Sequence, residues 1–165
     1  MTVFEFAMKM ELDGKSYYEK QADEMTHPVL KKIFGELAGD EERHYQIFKG
    51  MSAGKKPEYE AAFKTNILAT AKNVFQKLSE SKAKMDDLPD SVREAWAKAL
   101  DIEDKSVKFY REQAGKVPES DQKKIWNSIA AEEQKHWIAI NHVVDFIDRP
   151  KQWLEDAEWS NIESY

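Results

Sequence analysis

Apolar residues return every three or four positions in four long stretches of this chain, the period of one helix face. The first stretch has the seam Phe4, Ala7, Glu11, Gly14, Tyr18, Ala22 and Met25. Thr26-His27-Pro28 ends it, because proline suits a first helical position and disfavours helix in the residue before it. The second stretch carries Leu30, Phe34, Leu37, Glu41, His44 and Phe48, with Gly50 as its expected terminator. Joined by so short a turn, these two helices, within residues 3–50, are expected to be antiparallel neighbours. A third seam, Ala95, Ala99, Glu103, Ser106, Tyr110 and Ala114, is expected to start at a cap from Asp90 or Ser91 and to close at Gly115. After Pro118-Glu119-Ser120 comes the fourth, with Trp126, Ile129, Glu133, His136, Ile140 and Val143, which stops before Arg149-Pro150. The third and fourth helices fall within residues 90–148.

Residues 51–89 differ in kind, with Gly54, Pro57 and Pro89 punctuating them and one helical piece from about Asn66 to Ser81. They read as a crossover. A helix of about 23 residues is roughly 34 Å long, and a connection of this size carries the chain back over that length, so that the third helix runs parallel to the second. The tail, residues 149–165, holds Trp153, Leu154, Trp159 and Ile162. That is too apolar for a free end, and it is expected to dock on this subunit or a neighbour. The prediction is an all-α protein: one domain over residues 1–165, an antiparallel four-helix bundle with a long crossover and a short C-terminal helical tail.

The seams contain an anomaly. Glu11, Glu41, His44, Glu103, Glu133 and His136 occupy core-facing positions among apolar or small residues. They also repeat: at an offset of 92 residues, Glu11 falls on Glu103, and Glu41-x-x-His44 on Glu133-x-x-His136. The same offset matches Ala7 with Ala99, Tyr18 with Tyr110, Gln21 with Gln113, Ala22 with Ala114, Lys31-Lys32 with Lys123-Lys124 and Ala38 with Ala130. An internal duplication follows. Each set also lies about equally far along its helix, which puts all four carboxylates near the waist of one bundle.

Positions three apart on a helix share a face, so each Glu-x-x-His aims both side chains at one interior point. Four ionised carboxylates there would each cost several kcal/mol (on the order of that per ion) in desolvation, with mutual repulsion added. Two divalent cations would cancel their charge. Oxygen-rich ligands with one imidazole per metal suit iron or manganese, with zinc as a redox-inert alternative. Gly14 and Ser106, one turn beyond the lone glutamates, are expected to leave room for water or a small oxidant. A single Glu-x-x-His is common on solvated helix faces; two in register on apolar seams are not explained that way. His27 reads as a capping or solvated side chain, and His142 as structural. Met8, Met10 and Met25 read as core fillers, and Trp96, Trp126 and Trp137 as packing.

The chain has 165 residues and no cysteine, which excludes disulfides, thiolate zinc sites, iron–sulfur ligation and a rubredoxin-type iron centre within it. A net charge of −6 argues against a nucleic-acid partner. No run is long and apolar enough for a bilayer, and Met1-Thr2-Val3-Phe4-Glu5 does not open like a leader. No membrane association and a cytoplasmic location are expected.

Glu11-Leu-Asp-Gly-Lys-Ser-Tyr-Tyr-Glu, Asp40-Glu-Glu-Arg-His-Tyr and Glu132-Glu-Gln-Lys-His-Trp resemble the ferritin-like di-iron carboxylate proteins, and among them the rubrerythrin-like branch. The resemblance covers the four helices and implies a ferritin-like fold. It implies Glu11, Glu41, His44, Glu103, Glu133 and His136 as ligands of two iron ions, with Glu41 and Glu133 bridging, and Tyr18 and Tyr110 as hydrogen-bond donors beside them. Two departures stand out. Rubrerythrins proper carry a further glutamate where this chain has Ser106, and they usually carry a rubredoxin domain that supplies electrons. The six-residue set is also similar to the ferroxidase centre of bacterioferritin, although no methionine follows Glu41 within the motif to mark a haem ligand.

The expected function is reduction of hydrogen peroxide or dioxygen at the dinuclear site, with electrons from a separate donor protein and a homodimer as the assembly. The alternatives are a ferroxidase that handles iron and a bundle that holds metal for stability alone.

Overall fold

In a computed structural model of the protein, residues 1–56, 64–80, 88–118 and 120–164 are described. Pro57, Ser81 and Glu119, used above to mark turns and ends, lie outside them. The first helix, α1, spans Val3–Glu24, and Thr2 caps it by accepting the Glu5 backbone N–H at 3.1 Å. The second, α2, spans Pro28–Ser52, with Pro28 in the first turn. His27 is its cap: burial lowers the imidazole pKa, and the neutral Nδ1 accepts the Leu30 N–H at 3.4 Å. Gly50 does not end this helix. The turn that does lies at Gly54, whose φ of 78° places it in the left-handed region, and the Lys55 N–H reaches back to the Gly50 carbonyl at 2.8 Å.

Within the crossover, α3 spans Ile67–Glu80 and buries Ile67, Leu68, Ala71, Val74, Phe75 and Leu78 along one face. The next long helix, α4, spans Asp90–Lys116. Neither Asp90 nor Ser91 caps it: Pro89 takes the cap position, no side chain closes the end, and Asp90 instead faces the helix dipole from the first turn. Gly115 lies inside its last turn. The helix stops at Val117, which is extended because it precedes Pro118. Helix α5 spans Asp121–Asp148, capped by the Ser120 hydroxyl. The tail is helical too, as α6 over Pro150–Asp156 and a 3₁₀ turn over Glu158–Ser164.

Side-chain contacts fix the directions. Glu11 meets His44 while Lys15 meets Glu42, so α1 and α2 are antiparallel. Tyr18 meets Glu103 while Tyr110 meets Glu11, so α1 and α4 are antiparallel. Asp40 meets His136 while His44 meets Glu132, which makes α2 and α5 antiparallel as well. Helix α4 therefore runs parallel to α2, as the length of the crossover required.

Two apolar clusters fill the bundle, one at each end. The larger gathers Leu30, Phe34, Trp96, Ile140, Val143 and Phe146 with the α3 face and with Trp153, Trp159 and Ile162 of the tail. Phe34 and Trp96 stack with ring centres 3.9 Å apart, and Phe75 meets Phe146 and Trp153 edge-on at 5.7 Å. The tail thus docks on its own chain. His142 gives its Nδ1 to the Ile138 carbonyl at 2.9 Å and packs on Trp153, a structural placement. The smaller cluster holds Ala7, Phe48, Ala114, Trp126 and Ile129 around Tyr110. Between them lies the polar waist.

Candidate metal centre

The six seam residues converge on that waist and are almost wholly enclosed, each at most 2% exposed. Helix α1 supplies Glu11, α2 supplies Glu41 and His44, α4 supplies Glu103, and α5 supplies Glu133 and His136. Donor atoms of Glu11, Glu41, His44 and Glu133 all lie within 4.8 Å of one another, as do those of Glu41, Glu103, Glu133 and His136. The two groups share Glu41 and Glu133. His44 Nδ1 stands 2.7 Å from Glu133 and 3.5 Å from Glu11. His136 Nδ1 stands 3.3 Å from Glu103, 3.4 Å from Glu133 and 3.5 Å from Glu41. The ring centres of the two imidazoles are 6.0 Å apart.

These residues fit a pair of cations on a direct test. Glu11 Oε2, Glu41 Oε1, His44 Nδ1, Glu103 Oε2 and both carboxylate oxygens of Glu133 are buried without a hydrogen-bond partner. Orphaned buried polar atoms are rare in folded proteins and costly, and among the described residues six of nine gather at this one place, the other three being indole nitrogens of Trp96, Trp153 and Trp159. Protonation relieves the strain in the metal-free chain. Burial and the repulsion of neighbouring carboxylates raise Glu41 and Glu103 well above the ordinary glutamate range. Burial opposes charge on the two histidines, but the carboxylates around them overcome it and raise both. Glu133 goes the other way: burial notwithstanding, the carboxyl of Glu103 beside it, the positive charge of His44 and the adjacent His136 ring hold it well below the ordinary glutamate range.

Tyr18 and Tyr110 cross between the halves. Tyr18 donates its phenol O–H to Glu103 Oε1 at 2.7 Å, and Tyr110 donates to Glu11 Oε1 at 2.5 Å. Burial and the adjacent carboxylates raise both phenols well above their ordinary range, so each stays a donor. Gly14 does not leave open room. A Cβ there would stand 2.9 Å from Glu41 Oε2, so the missing side chain makes space for that carboxylate. Ser106, its counterpart in the second half, is buried and gives its hydroxyl to the Ile102 carbonyl at 3.0 Å.

Sequence reasoning passed over a further layer. Behind His136, Nε2 donates to Asp40 Oδ2 at 2.8 Å, and behind His44, Nε2 forms a short hydrogen bond with Glu132. Asp40 and Glu132 are themselves related by the 92-residue offset, each just before a motif glutamate, and that was the available signal. Burial would raise Asp40, but its bonds to His136, Thr65 and Arg43 bring it down to about 2. With each Nε2–H held by an acid, each Nδ1 is turned into the waist, where its lone pair is freed for a metal once the Nδ1 proton leaves.

The fold and this waist define a class: ferritin-like bundles with a buried carboxylate and histidine site suited to two metals. The rubrerythrin family model matches residues 3–137, most of the chain. The protein belongs to the rubrerythrin family. No curated protein and no solved structure matches the chain significantly. Among the described residues, no helix is long and apolar enough to cross a membrane.

Proposed function

We propose that this protein is a di-iron oxidoreductase that reduces hydrogen peroxide or dioxygen, with electrons from a separate donor protein. The observation that carries the reading is the pair of four-residue groups sharing Glu41 and Glu133, filled with buried oxygen and nitrogen atoms that lack partners. Each group offers three carboxylates and one imidazole, a hard, oxygen-rich set suited to iron or manganese, with zinc possible. In this reading Glu11, Glu41, His44 and Glu133 would hold one ion and Glu41, Glu103, Glu133 and His136 the other, with Glu41 and Glu133 common to both and each histidine offering Nδ1. When bound, the metal pair supplies electrons and a coordination position for a small oxidant.

The chain's own residues set the conditions. The apolar clusters above and below exclude bulk water from the waist. Asp40 and Glu132 fix the ring orientation of each histidine and keep its proton on Nε2. Tyr18 and Tyr110 hold Glu103 and Glu11 by one oxygen each, which leaves the second oxygen facing the waist. With no cysteine, the chain cannot build its own rubredoxin centre, and an external donor completes the cycle. A cytoplasmic homodimer is the assembly we assign.

Ser106 supports a second reading. The six-residue set without a seventh carboxylate is also that of a ferroxidase, which oxidises iron for storage. Anaerobic stopped-flow mixing of the ferrous protein with peroxide separates the two. The peroxidase reading expects oxidation much faster than that of free ferrous ion, with sustained turnover once a donor is added. A rate no faster than free iron would refute it. Rapid oxidation followed by mineral growth would favour the ferroxidase.

A further inference from the structure

The acids behind the two histidines meet at a single cation. Arg43 Nη2 lies 3.1 Å from Asp40 Oδ1 and 3.0 Å from Glu132 Oε1. A continuous line of contacts therefore runs His136, Asp40, Arg43, Glu132, His44 across α2 and α5. Thr65, from the crossover, adds its hydroxyl to Asp40 Oδ2, the oxygen that also receives His136.

The duplication provides an internal comparison. At the 92-residue offset the acids correspond, Asp40 to Glu132, and so do the histidines. The cation does not share that symmetry. Lys135 stands where a second Arg43 would, and it faces solvent. Two separate halves would each need a cation to steady the acid behind the imidazole; here one guanidinium, reaching from α2 to α5, serves both.

We propose that Arg43 is a positioning residue that couples the two halves of the centre, so that the two ions load as a pair and not independently. The inference rests on the metal-pair reading of the waist. When an ion draws one imidazole into place, the acid behind it settles, and through it the guanidinium. The guanidinium then fixes the other acid and preorders the second imidazole. Two N–H groups on one nitrogen meet two carboxylates held by different helices, a link that a shorter side chain does not span. Arg43→Lys keeps the charge but ends about one bond short. Arg43→Gln removes the charge and reaches one acid at most.

Titration of the metal-free full-length protein with cobalt(II) tests this, by calorimetry and by the visible absorption bands of the bound ion. The wild type is expected to take up two ions in one cooperative step, with little one-ion species at half saturation. In Arg43→Lys and Arg43→Gln the two ions are expected to bind in separate steps, the second about tenfold more weakly than in the wild type, with distinct spectra for the one-ion and two-ion forms. Lys135→Ala should behave as the wild type. Melting of the metal-free variants by circular dichroism tells a folding defect from lost coupling, and Arg43→Gln stands in where Arg43→Lys does not fold. Independent binding of two ions by the wild type overturns the proposal, as does an unchanged isotherm in both Arg43 variants. A wild type that binds no ion overturns the metal-pair reading itself.

Discussion

Replacing Gly14 with alanine puts a methyl carbon 2.9 Å from Glu41 Oε2, where ordinary contact begins at 3.4 Å. Something must move by about half an ångström, and the next atoms of Glu41, Cδ at 3.6 Å and Cγ at 3.8 Å, leave the side chain little slack in that direction. Two effects of opposite sign then compete. Alanine is better than glycine within a helix by about 1 kcal/mol, while overpacking a filled site costs ~1–3 kcal/mol. In the metal-free protein the carboxylate can turn aside, and the two should nearly cancel. With metals bound, Glu41 belongs to both donor groups, so its displacement falls on affinity, which should weaken by about five- to a hundredfold. Gly39→Ala on α2 is the control, because nothing lies within 4 Å of the added carbon. It should raise the melting temperature by about 2–4 °C and leave metal binding alone. Differential scanning calorimetry with and without metal, beside a competition titration against a chelator, measures both quantities. If Gly14→Ala gains the same stability as Gly39→Ala and binds metal as tightly as the wild type, Gly14 is not the notch that seats Glu41.

Removing either buried phenol donor, by Tyr18→Phe or Tyr110→Phe, leaves one oxygen of Glu103 or Glu11 without its bond and should cost roughly 1–3 kcal/mol in urea unfolding of the metal-free protein; two variants that unfold like the wild type would count against the crossed pairing. The metal-free protein should also lose stability as pH rises above 6.5, because His44 and His136 are raised above that ordinary value when folded. Their contribution is whole below pH 6.5 and is lost as pH climbs through the folded values. Glu41 and Glu103, raised from 4.5, act in the same direction from that pH upward. Glu133 and Asp40 are shifted down and act in the opposite sense, but the change they bring is confined to acid pH, Asp40 fading only as pH falls towards about 2. Metal affinity, which requires the same protons to leave, should strengthen over the range in which the metal-free melting temperature falls. A melting temperature that rises from pH 6.5 to 9 would contradict this assignment.

Local rules in the sequence accounted for the long helices, because each carries a period of three and four and a polar turn at its ends. They failed where two turn signals competed. Gly50 and Gly115 look like terminators, yet the chain reverses at Gly54 and at Val117 before Pro118. A glycine ends a helix only where the backbone takes up positive φ, and a proline acts on its neighbour through sterics alone. The burial of Glu11, Glu41, Glu103 and Glu133 was also legible, since charged residues on an apolar seam must face the interior. Gly14 was misjudged because a small residue in a sequence does not say whether its space stays empty or holds a neighbour.

What the sequence by itself determined is the inward set: a repeat of 92 residues and helical periodicity suffice to aim six side chains at one level. What only the tertiary structure decided is the layer behind it. Tyr18 to Glu103, Tyr110 to Glu11, and Arg43 to Glu132 all join residues at least 85 positions apart and on different helices. No period within one helix encodes such pairs. They depend on how far each helix is rotated and slid against its neighbour, which the packing of the two apolar clusters sets.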